Sequence, residues 1–120
     1  MRKFSVVLAL TFAAAFSQQV SAHAHLKSQY PAANANVTAS PQALTLTFSE
    51  DIEPDFSGVE ITDSNHQVVP VAKAARAPEE HNQMIVPIEK PLVRGQYQVS
   101  WHVLSVDGHK TQGSYAFSVK

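Results

Sequence analysis

The chain has 120 residues, nine Lys and Arg against ten Asp and Glu, a formal charge of −1, and no cysteine. That length suits one domain, and the absence of a basic patch speaks against nucleic acid or an anionic membrane surface as partner. Neither a disulfide nor a thiolate metal site is open to a chain without cysteine.

The first predicted element is a leader. Arg2 and Lys3 precede an apolar run from Phe4 to Phe16, and Val20-Ser21-Ala22 supplies the small residues of a signal-peptidase site. The run falls short of the roughly 20 apolar residues that span a bilayer. Residues 1–22 therefore read as a secretory signal peptide cleaved after Ala22, and residues 23–120 as the mature domain. Losing Arg2 and Lys3 leaves seven basic residues against ten acidic ones. An exported domain without disulfides must hold together by packing, and one of this size closes only a modest core.

Strand signals then follow in order. Leu44, Leu46 and Phe48 alternate with Thr45 and Thr47 in "ALTLTFSE", the period of a half-buried strand. Val59 with Ile61, then Val68, Val69 and Val71, then Ile85, Val86 and Ile88 give three shorter candidates. Tyr97, Val99, Trp101 and Val103 alternate in "GQYQVSWHVLSV", as do Tyr115, Phe117 and Val119 in "GSYAFSVK". Pro31, Pro41, Pro54, Pro87, Pro91, Gly95, Gly108 and Gly113 punctuate the runs. The stretch "VAKAARAPEEHN" is limited by Pro78 to about one helical turn and reads as a loop. The expected fold is all-β: a β-sandwich or small Greek-key barrel of about seven short strands.

The chemistry gathers at the new amino terminus and one late turn. Cleavage after Ala22 gives His23 a free α-amine beside its imidazole, a pair that closes a chelate ring on one metal ion. Such nitrogen donors suit Cu(II), which prefers tetragonal N,O geometry. Further donors are expected from Asp107 and His109 in "SVDGHKTQG"; with His23 they complete three nitrogens and one oxygen. An Asp-Gly pair by itself is more often a turn former. Glu50, at the end of "FSE", is an outer-sphere partner, a weak ligand or a solvated strand end. His25 leaves two readings open. As third residue of the mature chain it completes a local X-X-His chelate of amine, two deprotonated amides and imidazole, with Asp107 and His109 as bystanders; or it is a strand side chain supporting His23. The Asp-Gly-His turn, otherwise unexplained, favours support. His81, beside Glu79 and Glu80, reads as a polar loop residue, and His102 as a structural residue on the polar face of its strand.

The pieces "HAHL", "YPAANANV", "PQALTLTFSE" and "YQVSWHVLSVDGHKTQGSYAFSV", in that order over nearly the whole mature chain, resemble the CopC family of small periplasmic copper-binding proteins, above all its single-domain YobA-like members. The resemblance implies an immunoglobulin-like Greek-key β-barrel and Cu(II) held by an amino-terminal histidine and an Asp-X-His, here His23, Asp107 and His109, with Glu50 matching the family's nearby glutamate. Some relatives carry a methionine-rich loop for Cu(I). The corresponding "ITDSNHQVVPV" has His66 and no methionine, and thioether ligands are what select Cu(I); no Cu(I) site is expected, and His66 reads as a polar loop residue.

The expected function is a periplasmic Cu(II) carrier or buffer in copper homeostasis or resistance, one ion per chain, and not an enzyme. A filled equatorial set leaves no labile position for oxygen. The alternative is a histidine-brace oxidative enzyme like the lytic polysaccharide monooxygenases, against which stand Asp107 and the few exposed aromatics. A purely adhesive β-sandwich would leave the chelating residue at the cleavage site a coincidence. The expected partners are the copper ion and a membrane copper-transport protein of the CopD type, with the chain itself a monomer.

Overall fold

The computed structural model describes residues 24–120. Nine strands form, in order β1 (Leu26–Tyr30), β2 (Asn36–Val37), β3 (Ala43–Phe48), β4 (Gly58–Asp63), β5 (Val68–Val69), β6 (Ala75–Arg76), β7 (Gln83–Pro87), β8 (Gly95–Leu104) and β9 (Lys110–Val119). A single 3-10 turn at Pro54–Phe56 is the helical element among the described residues. One sheet runs β1-β3-β7-β6 and the other β2-β9-β8-β4-β5. All pairings are antiparallel except that of β2 with β9. The chain crosses repeatedly between the two sheets, giving the all-β, Greek-key sandwich that the alternating runs imply.

The alternation sorts side chains into the core as period-two geometry requires. Leu44, Leu46 and Phe48 of β3 are fully buried, as are Met84 of β7, Ile61 of β4 and Val99 of β8. Trp101 meets Phe48 edge to face, ring centroids 5.2 Å apart, and Tyr97 stacks on Phe117 at 5.7 Å. The Tyr97 hydroxyl donates to the carbonyl of Val93, a tyrosine-corner arrangement that ties the loop before β8 to the core.

Of the nine strands, three are two residues long, and six reach five or more. β1 is an edge strand with a mostly exposed burial pattern, so it shows no alternation in the sequence. β6 lies within the stretch read as a loop; it pairs by backbone, Ala75 with Ile85 and Arg76 with Met84, and needs no side-chain pattern to do so. Val71 forms an isolated bridge to Ile88 in place of extending β5.

Candidate metal centre

β8 and β9 form a ten-residue hairpin ladder that ends at Leu104 opposite Lys110. Between them Gly108 N–H donates to the Ser105 carbonyl and Ser105 N–H to the His109 carbonyl, each at 2.9 Å. This is a type I turn closed by a left-handed residue, the usual three-residue hairpin loop. Gly108 occupies the left-handed position at φ +93°, which is why glycine stands there. The turn puts Asp107 and His109 on either side of that glycine.

Asp107 is held in place from several directions. Its Oδ1 accepts a hydrogen bond from the Ser105 hydroxyl, lies 3.2 Å from His109 Nδ1, and accepts the His109 N–H at 3.3 Å. The Ser105 bond is the chief reason the Asp107 carboxyl sits below the usual carboxylate range; partial desolvation opposes it, and the His109 contacts reinforce it. Ser105 itself is buried, 1% exposed. Asp107 is thus an ionised oxygen donor at neutral pH. An imidazole whose Nδ1–H is turned to a carboxylate keeps its acceptor lone pair on Nε2, on the side of the ring away from that carboxylate, so the turn carries one oxygen and one nitrogen donor.

Two other segments flank the turn. Val106 N–H donates to the Asp51 carbonyl at 3.0 Å and Glu53 N–H to the Leu104 carbonyl at 2.8 Å, with an Ile52–Ser105 bridge between them. On the other flank, Thr111 Oγ1 donates to the Ala24 carbonyl at 2.9 Å, and Ala24 is 1% exposed. The next residue, His25, donates its N–H to Ser49 Oγ at 2.9 Å and accepts from Ser49 N–H at 2.8 Å. Between Leu26 and Ser28 the β1–β3 register shifts by one, a bulge of the kind that re-aims chain next to functional sites.

Of the sequence-predicted residues, Asp107 and His109 come together. His23 lies outside the described residues, as do the leader and its cleavage site. His25 and Glu50 are exposed, on the backbone-linked segments just described. Among the described residues no three His, Cys, Asp or Glu side chains form a group able to hold a metal, so Glu50 and His25 do not join the Asp107–His109 pair in such a group. His102 faces outward and lines a cavity of about 280 Å³ with Phe56 and Lys110. His66 is exposed in the β4–β5 turn at φ 63°, and His81 lies with Asp51, Glu79 and Glu80 around an open polar hollow.

Three supporting residues escaped the sequence reading: Ser105, Thr111 and Ser49. A signal existed for two. Carrying the inward alternation of β8 one step past Val103 lands on Ser105, and carrying that of β9 back from Tyr115 and Gly113 lands on Thr111. A polar residue at an inward position asks for a partner.

A family model described as CopC domain matches residues 26–120. Protein YobA of Escherichia coli K12 is 50% identical over 119 residues, covering 99% of this chain and 96% of that one. Copper resistance protein C of Escherichia coli is 39% identical over 118 residues, covering 92% and 90%. Among solved structures, CopC from Methylosinus trichosporium OB3b superposes with a TM-score of 0.77 at 33% identity, covering 82% of this chain and 94% of that one. PcoC, a methionine-rich copper resistance protein from Escherichia coli, gives 0.74 at 35% identity, covering 82% and all of its chain. With the family model matched over residues 26–120 and relatives of up to 50% identity over nearly the whole length, the chain belongs to the CopC family.

Proposed function

We propose that this chain is a periplasmic Cu(II) carrier or buffer serving copper homeostasis or resistance, with copper as its cargo and not the cofactor of an enzyme. The ion is held by the α-amine and imidazole of His23, created by cleavage after Ala22, together with Asp107 and His109. The names of relatives such as copper resistance protein C support copper as the cargo. The observation that carries the ligand set is the Thr111–Ala24 hydrogen bond. It ties the residue following His23 to the strand that leaves the Asp107–His109 turn, within reach of a short peptide span.

The donor chemistry supports Cu(II). Three nitrogens and a carboxylate oxygen match its tetragonal preference, and the carboxyl held low by Ser105 is ionised without help from the metal. Met84 is sealed in the core at 0% exposed, so that thioether offers no surface ligand for Cu(I). A filled equatorial set favours carriage over oxygen chemistry. The chain acts as a monomer that passes its ion to a membrane copper-transport protein of the CopD type.

The test is the Cu(II) electron paramagnetic resonance spectrum of exported protein shown by mass to begin at His23, recorded beside His109→Ala. A three-nitrogen, one-oxygen tetragonal signal that changes in the variant is expected. An identical four-nitrogen signal in both would overturn this ligand set in favour of a local chelate through His25.

A further inference from the structure

The peptide unit joining Ala24 to His25 is held at both of its polar atoms. Its carbonyl oxygen accepts from Thr111 Oγ1 at 2.9 Å, and its N–H donates to Ser49 Oγ at 2.9 Å. The two hydroxyls come from opposite layers: Thr111 lies in β9 of one sheet, and Ser49 directly follows β3 of the other. Ser49 adds a second tie through its own N–H to the His25 carbonyl at 2.8 Å. With Ala24 1% exposed, the chain enters the sandwich with this peptide fixed in orientation.

That geometry bears on the choice between two copper modes. A local X-X-His chelate needs the amide nitrogens of Ala24 and His25 turned onto the metal, which replaces two amide protons that pass to water. Residues 23–25 must then curl into fused rings. The His25 nitrogen points instead at Ser49, and rotating its peptide plane breaks the Thr111 bond at the other end.

Resting on the ligand set proposed above, we infer that Ser49 and Thr111 are positioning residues: by pinning the Ala24–His25 peptide they hold the mature amino terminus in the mode shared with Asp107 and His109 and keep it out of the local chelate. Neither side chain touches copper. Each hydrogen bond biases the choice roughly fivefold, and the pair by more than about tenfold.

The experiment compares mature protein beginning at His23 with the Ser49→Ala/Thr111→Val double variant and the conservative Ser49→Thr/Thr111→Ser double variant. Each is loaded with one equivalent of Cu(II) for electron paramagnetic resonance, and separately titrated with Ni(II) for the absorption of a square-planar amine-amide-imidazole complex. The first double variant is expected to move to a four-nitrogen copper signal and to gain the Ni(II) absorption. The conservative variant is expected to behave as the unaltered protein, which a loss of packing alone would not explain. A three-nitrogen, one-oxygen signal retained in the first variant, with no Ni(II) absorption, would overturn the inference. A four-nitrogen signal already present in the unaltered protein overturns the ligand set itself, and needs no variant to be seen. Should the double variant not fold, Ser49→Ala alone, altered at an exposed site, is expected to give part of the same shift, and an unchanged spectrum there also overturns the role.

Discussion

Ser105 donates its hydroxyl proton to Asp107 Oδ1 from a position that is itself 1% exposed. A buried donor that is fixed by the hairpin ladder fixes its acceptor in turn, and this bond leads the causes that lower the Asp107 carboxyl from its ordinary value of 3.8. The sign follows from linkage. The folded state favours the carboxylate, so its contribution is complete above the unfolded value and fades as pH falls through the lower folded one. Ser105→Ala is expected to return the Asp107 titration upward toward 3.8, read by carbon NMR of the side chain. Loss of a residue that orients a metal ligand costs about tenfold in metal affinity at the low end of the usual range, so, with Asp107 in the proposed ligand set, Cu(II) competition should show a loss of about that size.

A single residue added ahead of His23 converts its α-amine to an amide and removes one arm of the proposed chelate. The imidazole, Asp107 and His109 remain. Losing an arm whose effective concentration comes from its own chain is expected to weaken Cu(II) binding on the order of a hundredfold, close to the effect of His23→Ala. Competition titration of the extended protein checks this, and wild-type affinity there would remove the amine from the ligand set.

How far the sequence reveals all this depends on what kind of contact is involved. Leu44, Leu46 and Phe48, and Tyr97 through Val103, announce their strands because core-facing side chains must recur every second residue. β2 and β6 do not, since two-residue pairings are made by backbone atoms that every residue carries. The Asp107-Gly108-His109 turn is legible because its left-handed position needs glycine and its flanking donors are chemically distinctive. The Ala24–Thr111 and His25–Ser49 bonds are not. Their partners lie 87 and 24 positions apart, and only the folded sandwich brings them together. His23 itself lies outside the described residues, and its proposed relation to the turn is argued from donor chemistry and the Thr111–Ala24 bond.

Gly113 carries a packing prediction. The Trp101 ring lies across it on the β8–β9 ladder, and a Cβ at position 113 would come 2.6 Å from Trp101 Cζ2 and 2.9 Å from Cε2. The ring is also held by its edge-to-face contact with Phe48, which restrains it from swinging away. Gly113→Ala is therefore expected to destabilise the fold by ~1–3 kcal/mol, the usual cost of overpacking. Thermal unfolding measures the loss. A red shift of Trp101 emission, from the one tryptophan in the chain, would report the ring's displacement; unchanged stability would mean that the ladder opens to admit the methyl at little cost.

Tyr115 pairs with Val99 across the same ladder, and its hydroxyl is buried with no hydrogen-bond partner among the described residues. Burial pushes this phenol from 10.0 up to about 12. The folded state therefore favours the protonated form: stability is intact below about pH 10 and falls as pH rises from there through about 12. Tyr115→Phe removes an unsatisfied polar atom while keeping the ring. It is expected to gain about 1 kcal/mol at neutral pH, at the low end of the cost of an unpaired buried group, and to lose less stability above pH 10 than the unaltered chain. Some alkaline dependence should persist, because desolvation also raises the pKa of Tyr97. Urea unfolding on either side of pH 10 tests both parts, and a variant less stable than its parent at neutral pH would show that the hydroxyl has a bound partner after all.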